Sequence, residues 1–119
     1  MTEPYGKEEI IRERLKQELG INLQKRSVKL KGIDEEWKAD FVSDDGTIVG
    51  EIKTAGFGGK GGTAIPRNLC SPYVFLKNAV GAKRRILVLT EKRLFEHVME
   101  SREGKLVEND GIEIILMEI

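Results

Sequence analysis

One dipeptide constrains this chain more than any other feature. Asp45-Gly46 lies in the middle of EWKADFVSDDGTIVGEIKT, residues 36–54, between two stretches of alternating character. Asp-Gly flanked by such alternation is the strongest short-range signal for a β-hairpin. It predicts strands at about 37–43 and 47–54. With Asp45-Gly46 as a two-residue turn, Asp44 faces Thr47, and cross-strand partners carry numbers that sum to 91. Asp40 then stands directly opposite Glu51, with Cβ atoms roughly 4.5–5.5 Å apart. Lys53 projects from the same face as Glu51, with Lys38 opposite it. The other face carries Ala39, Phe41, Ile48 and Ile52, with Gly50 opposite Phe41. A slip of one residue would bury the charges and expose the apolar set, so the patterning defends this register.

Like charges directly opposite each other destabilise a sheet, so the Asp40–Glu51 pair calls for compensation. Lys53 offsets part of the repulsion. A divalent cation would offset more: two carboxylates a few ångströms apart, completed by carbonyls and waters, suit Mg²⁺, and such sites commonly take a substrate phosphate as well. An exposed hairpin with ordinary surface charges is the alternative.

Around the hairpin, residues 7–19 read as a helix, because Ile11, Leu15 and Leu19 recur at spacing four, beside Ile10, before Gly20. Val28 and Leu30 alternate with lysines, which suggests a short strand. Residues 55–68 are glycine-rich and read as a loop. Ser71 and Pro72 suit the cap and first position of a helix that runs to about Gly81. The run at 85–90 is that of a buried strand. Thr90 suits the cap of a helix over about 91–103, and residues 112–118 make a last strand. The resulting order, αβββαβαβ, is α/β, a mixed central sheet flanked by helices, in a single domain over residues 1–119.

Charge is segregated along this electrically neutral chain. Residues 52–90 contain no acid and seven bases: Lys53, Lys60, Arg67, Lys77, Lys83, Arg84 and Arg85. Such a block suggests one basic surface, suited to phosphates. No apolar stretch approaches the roughly 20 residues of a membrane span. The charged start lacks a signal-peptide core, so an intracellular, cytoplasmic location is expected. One cysteine, Cys70, and one histidine, His97, exclude an internal disulfide and a metal cage built from those types within one subunit.

Asp40, a short hairpin, and then Glu51-Ile52-Lys53 together resemble the PD-(D/E)XK nuclease superfamily. The element order over about 7–90 is similar to that family's restriction endonuclease-like αβββαβ core. Ala39 stands where the family's name has proline. The E-x-K string also occurs at Glu36-Trp37-Lys38 and Glu103-Gly104-Lys105, but only the middle copy closes a hairpin with an acid opposite. The resemblance implies a Mg²⁺-dependent endonuclease acting on duplex or branched DNA, in which Mn²⁺ may substitute. It implies Asp40 and Glu51 as metal ligands and catalytic residues, the Ile52 carbonyl as a further ligand, and Lys53 as the residue that orients or activates water. Many members add a glutamate from the first helix. Of Glu8, Glu9, Glu13 and Glu18, both Glu8 and Glu18 border the apolar stripe; small archaeal Holliday-junction resolvases look similar there, and matching their distance to the Ile11 and Leu15 positions favours Glu8. Lys60, Arg67, Lys77, Lys83, Arg84 and Arg85 are then candidate contacts to DNA. Cutting two strands calls for two sites, so a homodimer is expected. A non-catalytic nucleic-acid-binding or assembly module with the same fold is the competing reading.

Gly56-Phe57-Gly58-Gly59-Lys60-Gly61 fits G-x-G-x-x-G, but Gly62 to Pro66 prevents the helix that a dinucleotide site requires, and no acid appears before Glu91. No nucleotide cofactor is expected. Tyr73–Leu76 and Trp37 read as core or interface, and His97 as structural.

Overall fold

The computed structural model describes the backbone of residues 4–32, 34, 36–54 and 67–118, and their side chains apart from residues 4, 5, 67–71, 102 and 103. The glycine-rich segment with Lys60 lies outside this set, as do the side chains of Arg67, Cys70 and Ser71. The elements are α1 (Pro4–Leu19), β1 (Leu23–Lys29), β2 (Glu36–Ser43), β3 (Ile48–Lys53), α2 (Arg67–Asn78), β4 (Arg84–Leu89), α3 (Lys92–Glu100), α4 (Arg102–Asn109) and β5 (Ile112–Leu116).

The five strands form one mixed sheet in sequence order. β1, β2 and β3 run antiparallel, and β3, β4 and β5 run parallel, with helical crossovers between them. The strands of the parallel part are apolar runs because both of their faces are covered. On one face, Ile11 and Leu15 of α1 pack with Leu23, Phe41, Ile52, Ile86, Val88 and Met117. On the other, Leu76, Leu94, Val98 and Val107 of α2, α3 and α4 meet Val42, Val49, Leu87, Leu89 and Ile114. Each fully buried Leu, Ile or Phe contributes about 1.5–3 kcal/mol. No helix among the described residues is long and apolar enough to cross a membrane.

The hairpin keeps the expected register with a different turn. Phe41 pairs with Gly50 and Val42 with Val49. The Gly46 amide donates to the Ser43 carbonyl at 2.9 Å. Gly46 has φ 76°, while no non-glycine residue among those described has positive φ. A two-residue I′ turn needs positive φ at both Asp45 and Gly46. The loop is therefore longer, with Asp44 and Asp45 at its centre. Asp45 holds it by accepting from Ser43 Oγ (2.7 Å), Thr47 Oγ1 (2.7 Å) and Thr47 N (3.1 Å). Those bonds, the Ser43 hydroxyl first, lower its pKa to about 2.

A second departure lies in β2. Gln24 pairs with Val42 but Arg26 with Ala39, so Lys25 alone faces two residues, Asp40 and Phe41. This is a β-bulge, which switches side-chain parity along the strand. Ala39 accordingly joins Trp37, Val42 and Val49 instead of the Phe41, Ile48 and Ile52 set under α1. The hairpin face that carries Val42 and Val49 is core, covered by α2, α3 and α4.

Three helix boundaries also differ. α2 begins at Arg67, so Pro72 lies inside the helix rather than at its start. Thr90 does not cap α3: Glu91 holds that position without a side-chain bond. The helix expected over 91–103 is two helices broken at Ser101. Ser101 Oγ donates to the Val98 carbonyl (2.7 Å) and accepts from the Gly104 amide (2.9 Å), ending one helix and starting the next.

Candidate carboxylate site

The sheet brings three acids together. Backbone pairing between β2 and β3 covers Phe41–Gly50 and Val42–Val49, and one step further carboxylates take over the ladder. The Asp40 amide donates to Glu51 Oε2 at 3.1 Å, and the Ile52 amide donates to Asp40 Oδ2 at 2.8 Å. Each acid thus accepts a backbone N–H from the other's strand, which offsets part of their repulsion. The opposition of Asp40 and Glu51 that the register implies is realised through side chains.

Glu51 is buried, only 8% exposed. Burial first, then the Asp40 charge and a hydrogen bond with the Asp40 carboxyl, push its pKa up to about 8, against the opposing pull of the Asp40 amide and of Lys53. Lys53 lies half-buried at the end of β3, near enough for its charge to act on Glu51. Its carbonyl accepts from the Thr90 amide (3.2 Å) and the Thr90 hydroxyl (3.3 Å), so β4 fixes the backbone that carries the ammonium.

Of the four acids considered on the first helix, Glu8 reaches the hairpin. Burial, a hydrogen bond with Asp40 and the Asp40 charge raise its pKa. Its Oε1 is buried and has no hydrogen-bond partner among the described residues. Glu9 and Glu18 are exposed, and Glu13 pairs with Lys16 at 2.8 Å.

Two basic residues missing from the sequence reading belong here. Arg12 Nε donates to the Asp40 carbonyl at 3.0 Å and so pins the bulge. Arg12 follows Glu8 by four residues, which places both on one helix face; that spacing was the available signal. Lys25 lies across from the bulge, and its charge, with that of Arg12, acts on Glu8. Only the unforeseen bulge brings Lys25 to the site.

Among the described residues, no group of three or more His, Cys, Asp or Glu side chains is placed to enclose a metal ion. The donor chemistry nonetheless suits a hard cation. Glu8 and Glu51 are both made reluctant to ionise around Asp40, and one buried carboxylate oxygen lacks a partner.

Among the described side chains of 52–90, Lys77, Lys83, Arg84 and Arg85 do not join Lys53 beside these acids. Arg84 makes a two-pronged bond to Glu113 (2.9 and 2.8 Å). Arg85 donates to the carbonyls of Leu76 (2.7 Å) and Ala79 (3.2 Å), closing the end of α2. Lys77 lies 3.7 Å from Asp110 and over the Tyr73 ring. Lys83 is exposed just before β4. Because Arg84 is level with Ile48 and Leu89 with Lys53, the Lys83–Arg85 cluster is at the far end of the sheet. At about 3.3 Å per residue, Arg84 sits roughly 16 Å along the strands from Lys53.

In the Tyr73–Leu76 run, Leu76 is fully buried, Tyr73 and Phe75 are half-buried, and Phe75 stacks on Trp37 with ring centroids 5.2 Å apart. Val74 is exposed. Compared with models of known protein families, with curated proteins and with solved structures, the chain matches none.

Proposed function

We propose that this chain is a divalent-cation-dependent endonuclease that hydrolyses DNA phosphodiester bonds. The observation that carries the reading is the meeting of Glu8, Asp40 and Glu51, from three different elements, where Lys53 ends β3. The α-β-β-β-α-β order of Pro4–Leu89 supports it, being the order that the PD-(D/E)XK resemblance implies. So does the cost of the cluster: Glu8 and Glu51 are held beside Asp40 with raised pKa values, and a cation would relieve the repulsion between their ionised forms.

Asp40, Glu51 and the Ile52 carbonyl would hold Mg²⁺, or Mn²⁺ in its place, with Glu8 hydrogen-bonded to Asp40 beside them. Bound there, such an ion supplies polarisation of the phosphate and a water of lowered pKa. The chain's own residues do the rest. The two exchanged amide bonds fix Asp40 and Glu51 relative to each other. Arg12 holds the Asp40 backbone, and Thr90 holds that of Lys53. The Lys53 ammonium donates to a phosphate oxygen as negative charge builds on it in the transition state. One such site cuts one strand, so we propose a homodimer for cutting both, with β5 at the sheet edge as the approach for a second copy.

The test is incubation of supercoiled and branched DNA with Mg²⁺ or Mn²⁺, comparing the wild type with Asp40→Asn, Glu51→Gln and Lys53→Ala. Cleavage by the wild type that falls by about 10²-fold or more in each variant is expected. Cleavage unchanged by all three substitutions refutes the assignment. DNA binding with no cutting, indifferent to Asp40→Asn, would identify a nucleic-acid-binding or assembly module instead.

A further inference from the structure

Among the described residues, the most continuous run of positive charge outside ion pairs lies on the β1 edge. Residues 19–33 contain four bases and no acid: Lys25, Arg26, Lys29 and Lys31. β1 is one of the two edge strands, with Lys29 and Lys31 bridged through their backbone to residues 78–80, and all four of these side chains are exposed. Among the described residues, Lys25, Lys29 and Lys31 form no ion pair. Arg26 reaches only carbonyls of the hairpin turn, those of Ser43 and Asp44 at 3.4 Å. Lys38, exposed on β2 opposite Ser27, adds a fifth charge. Glu36 faces Lys29 across the ladder without pairing with it.

This edge leads to the acids. Lys25 stands against the Asp40–Phe41 bulge and acts on Glu8. Beside it, a groove of about 420 Å³ runs between α1 and β1, lined by Arg12, Lys16, Gln24 and Lys25, together with Glu9 and Glu13. Lys25 and Lys29 are about 13 Å apart along the strand.

We infer that the β1 edge, through Lys25, Lys29 and Lys31, is the surface that grips the phosphate backbone of duplex DNA and delivers it to the carboxylate site. The inference rests on the nuclease reading for the identity of the ligand, while the surface itself follows from charge complementarity. Lysines on an edge strand also discourage pairing with other sheets. That role alone would leave DNA affinity untouched when they are removed.

The experiment is fluorescence anisotropy of a labelled duplex with the full chain in EDTA, where binding is read without cutting. The triple variant Lys25→Gln/Lys29→Gln/Lys31→Gln is compared with Lys25→Arg/Lys29→Arg/Lys31→Arg and with Lys83→Gln/Arg84→Gln. Circular dichroism checks that each is folded. The glutamine triple is expected to lose at least tenfold in affinity, and its slope of log K against log salt to be shallower by about 2.7, from three phosphates at 0.9 each. The arginine triple and the Lys83/Arg84 variant are expected to bind within about twofold of wild type. Equal binding by wild type and the glutamine triple overturns the inference, as does an equal loss in the Lys83/Arg84 variant, no duplex binding by the wild type, or stronger binding to anionic vesicles than to DNA. Cutting by the wild type against Asp40→Asn, scored separately with Mg²⁺, shows whether the nuclease reading survives such a result.

Discussion

Asp40 and Glu51 each accept a main-chain amide from the other's strand, so two acids that repel are locked together by the sheet that carries them. The arrangement stores unfavourable electrostatics in a stable frame, and its consequences can be measured without any substrate.

The first concerns pH. Glu51 has its pKa raised from 4.5 to about 8 by burial and by Asp40. Between those values the folded chain keeps a proton that the unfolded chain releases. Stability therefore falls as pH rises through that window, by up to about 1.4 kcal/mol per pH unit for one group. Urea unfolding in EDTA at pH 5, 6.5 and 8 is expected to show this decline, and Glu51→Gln is expected to flatten it and to be the more stable form at pH 8. Parallel profiles for the two proteins would contradict the assignment.

The second concerns cations. An ion bound only by the folded chain raises stability by mass action, about 2.7 kcal/mol at 100 times its Kd. Mn²⁺ is expected to raise the melting temperature of the wild type, more at pH 8 than at pH 5, because the carboxyl protons compete with it. Asp40→Asn is expected to remove the shift. A shift that persists in that variant points to binding elsewhere.

Gly50 gives a purely structural prediction. A Cβ there would lie 1.9 Å from Phe41 Cζ, so the ring occupies the space of a side chain. Gly50→Ala is expected to cost about 1–3 kcal/mol or more. Phe41→Leu in the same chain should cost less than the two single changes summed, a coupling that a double-mutant cycle in urea would read. Strict additivity would argue that the contact is unimportant.

Arg84 and Arg85 are adjacent yet should behave differently. Arg85 is half-buried and satisfies two carbonyls at the end of α2, so Arg85→Ala is expected to cost about 1.5–3 kcal/mol. Arg84 pairs with Glu113 in the open, where such pairs contribute about 0–1 kcal/mol. Chemical denaturation of the two variants checks the ranking.

The hairpin register was legible because Asp45-Gly46 and the alternation on either side agree, and Phe41–Gly50 and Val42–Val49 pair as expected even though the turn is longer. The opposition of Asp40 and Glu51 follows from that register, a local rule, while the approach of Glu8 to Asp40 was expected from helix spacing together with the family resemblance. Lys25 was missed because its place opposite Asp40 and Phe41 depends on a bulge between β1 and β2, and no local pattern marks where one strand takes an additional residue; Arg12, four residues after Glu8, carried a local signal that went unread. The β1 bases were overlooked for a simpler reason: only the sheet order, with β1 at one edge, makes a surface of them. The division of α3 from α4 was hidden because Glu103 and Lys105 favour a helix, while the break depends on the Ser101 hydroxyl serving both ends.

The surplus residue in β2 also bears on how distant kin of this chain would be detected. Strand columns matched by strict in–out alternation fall out of phase at Asp40, so an apolar position is compared with an acid on one side of it. A comparison that permits a one-residue gap there would restore the correspondence on both sides at once.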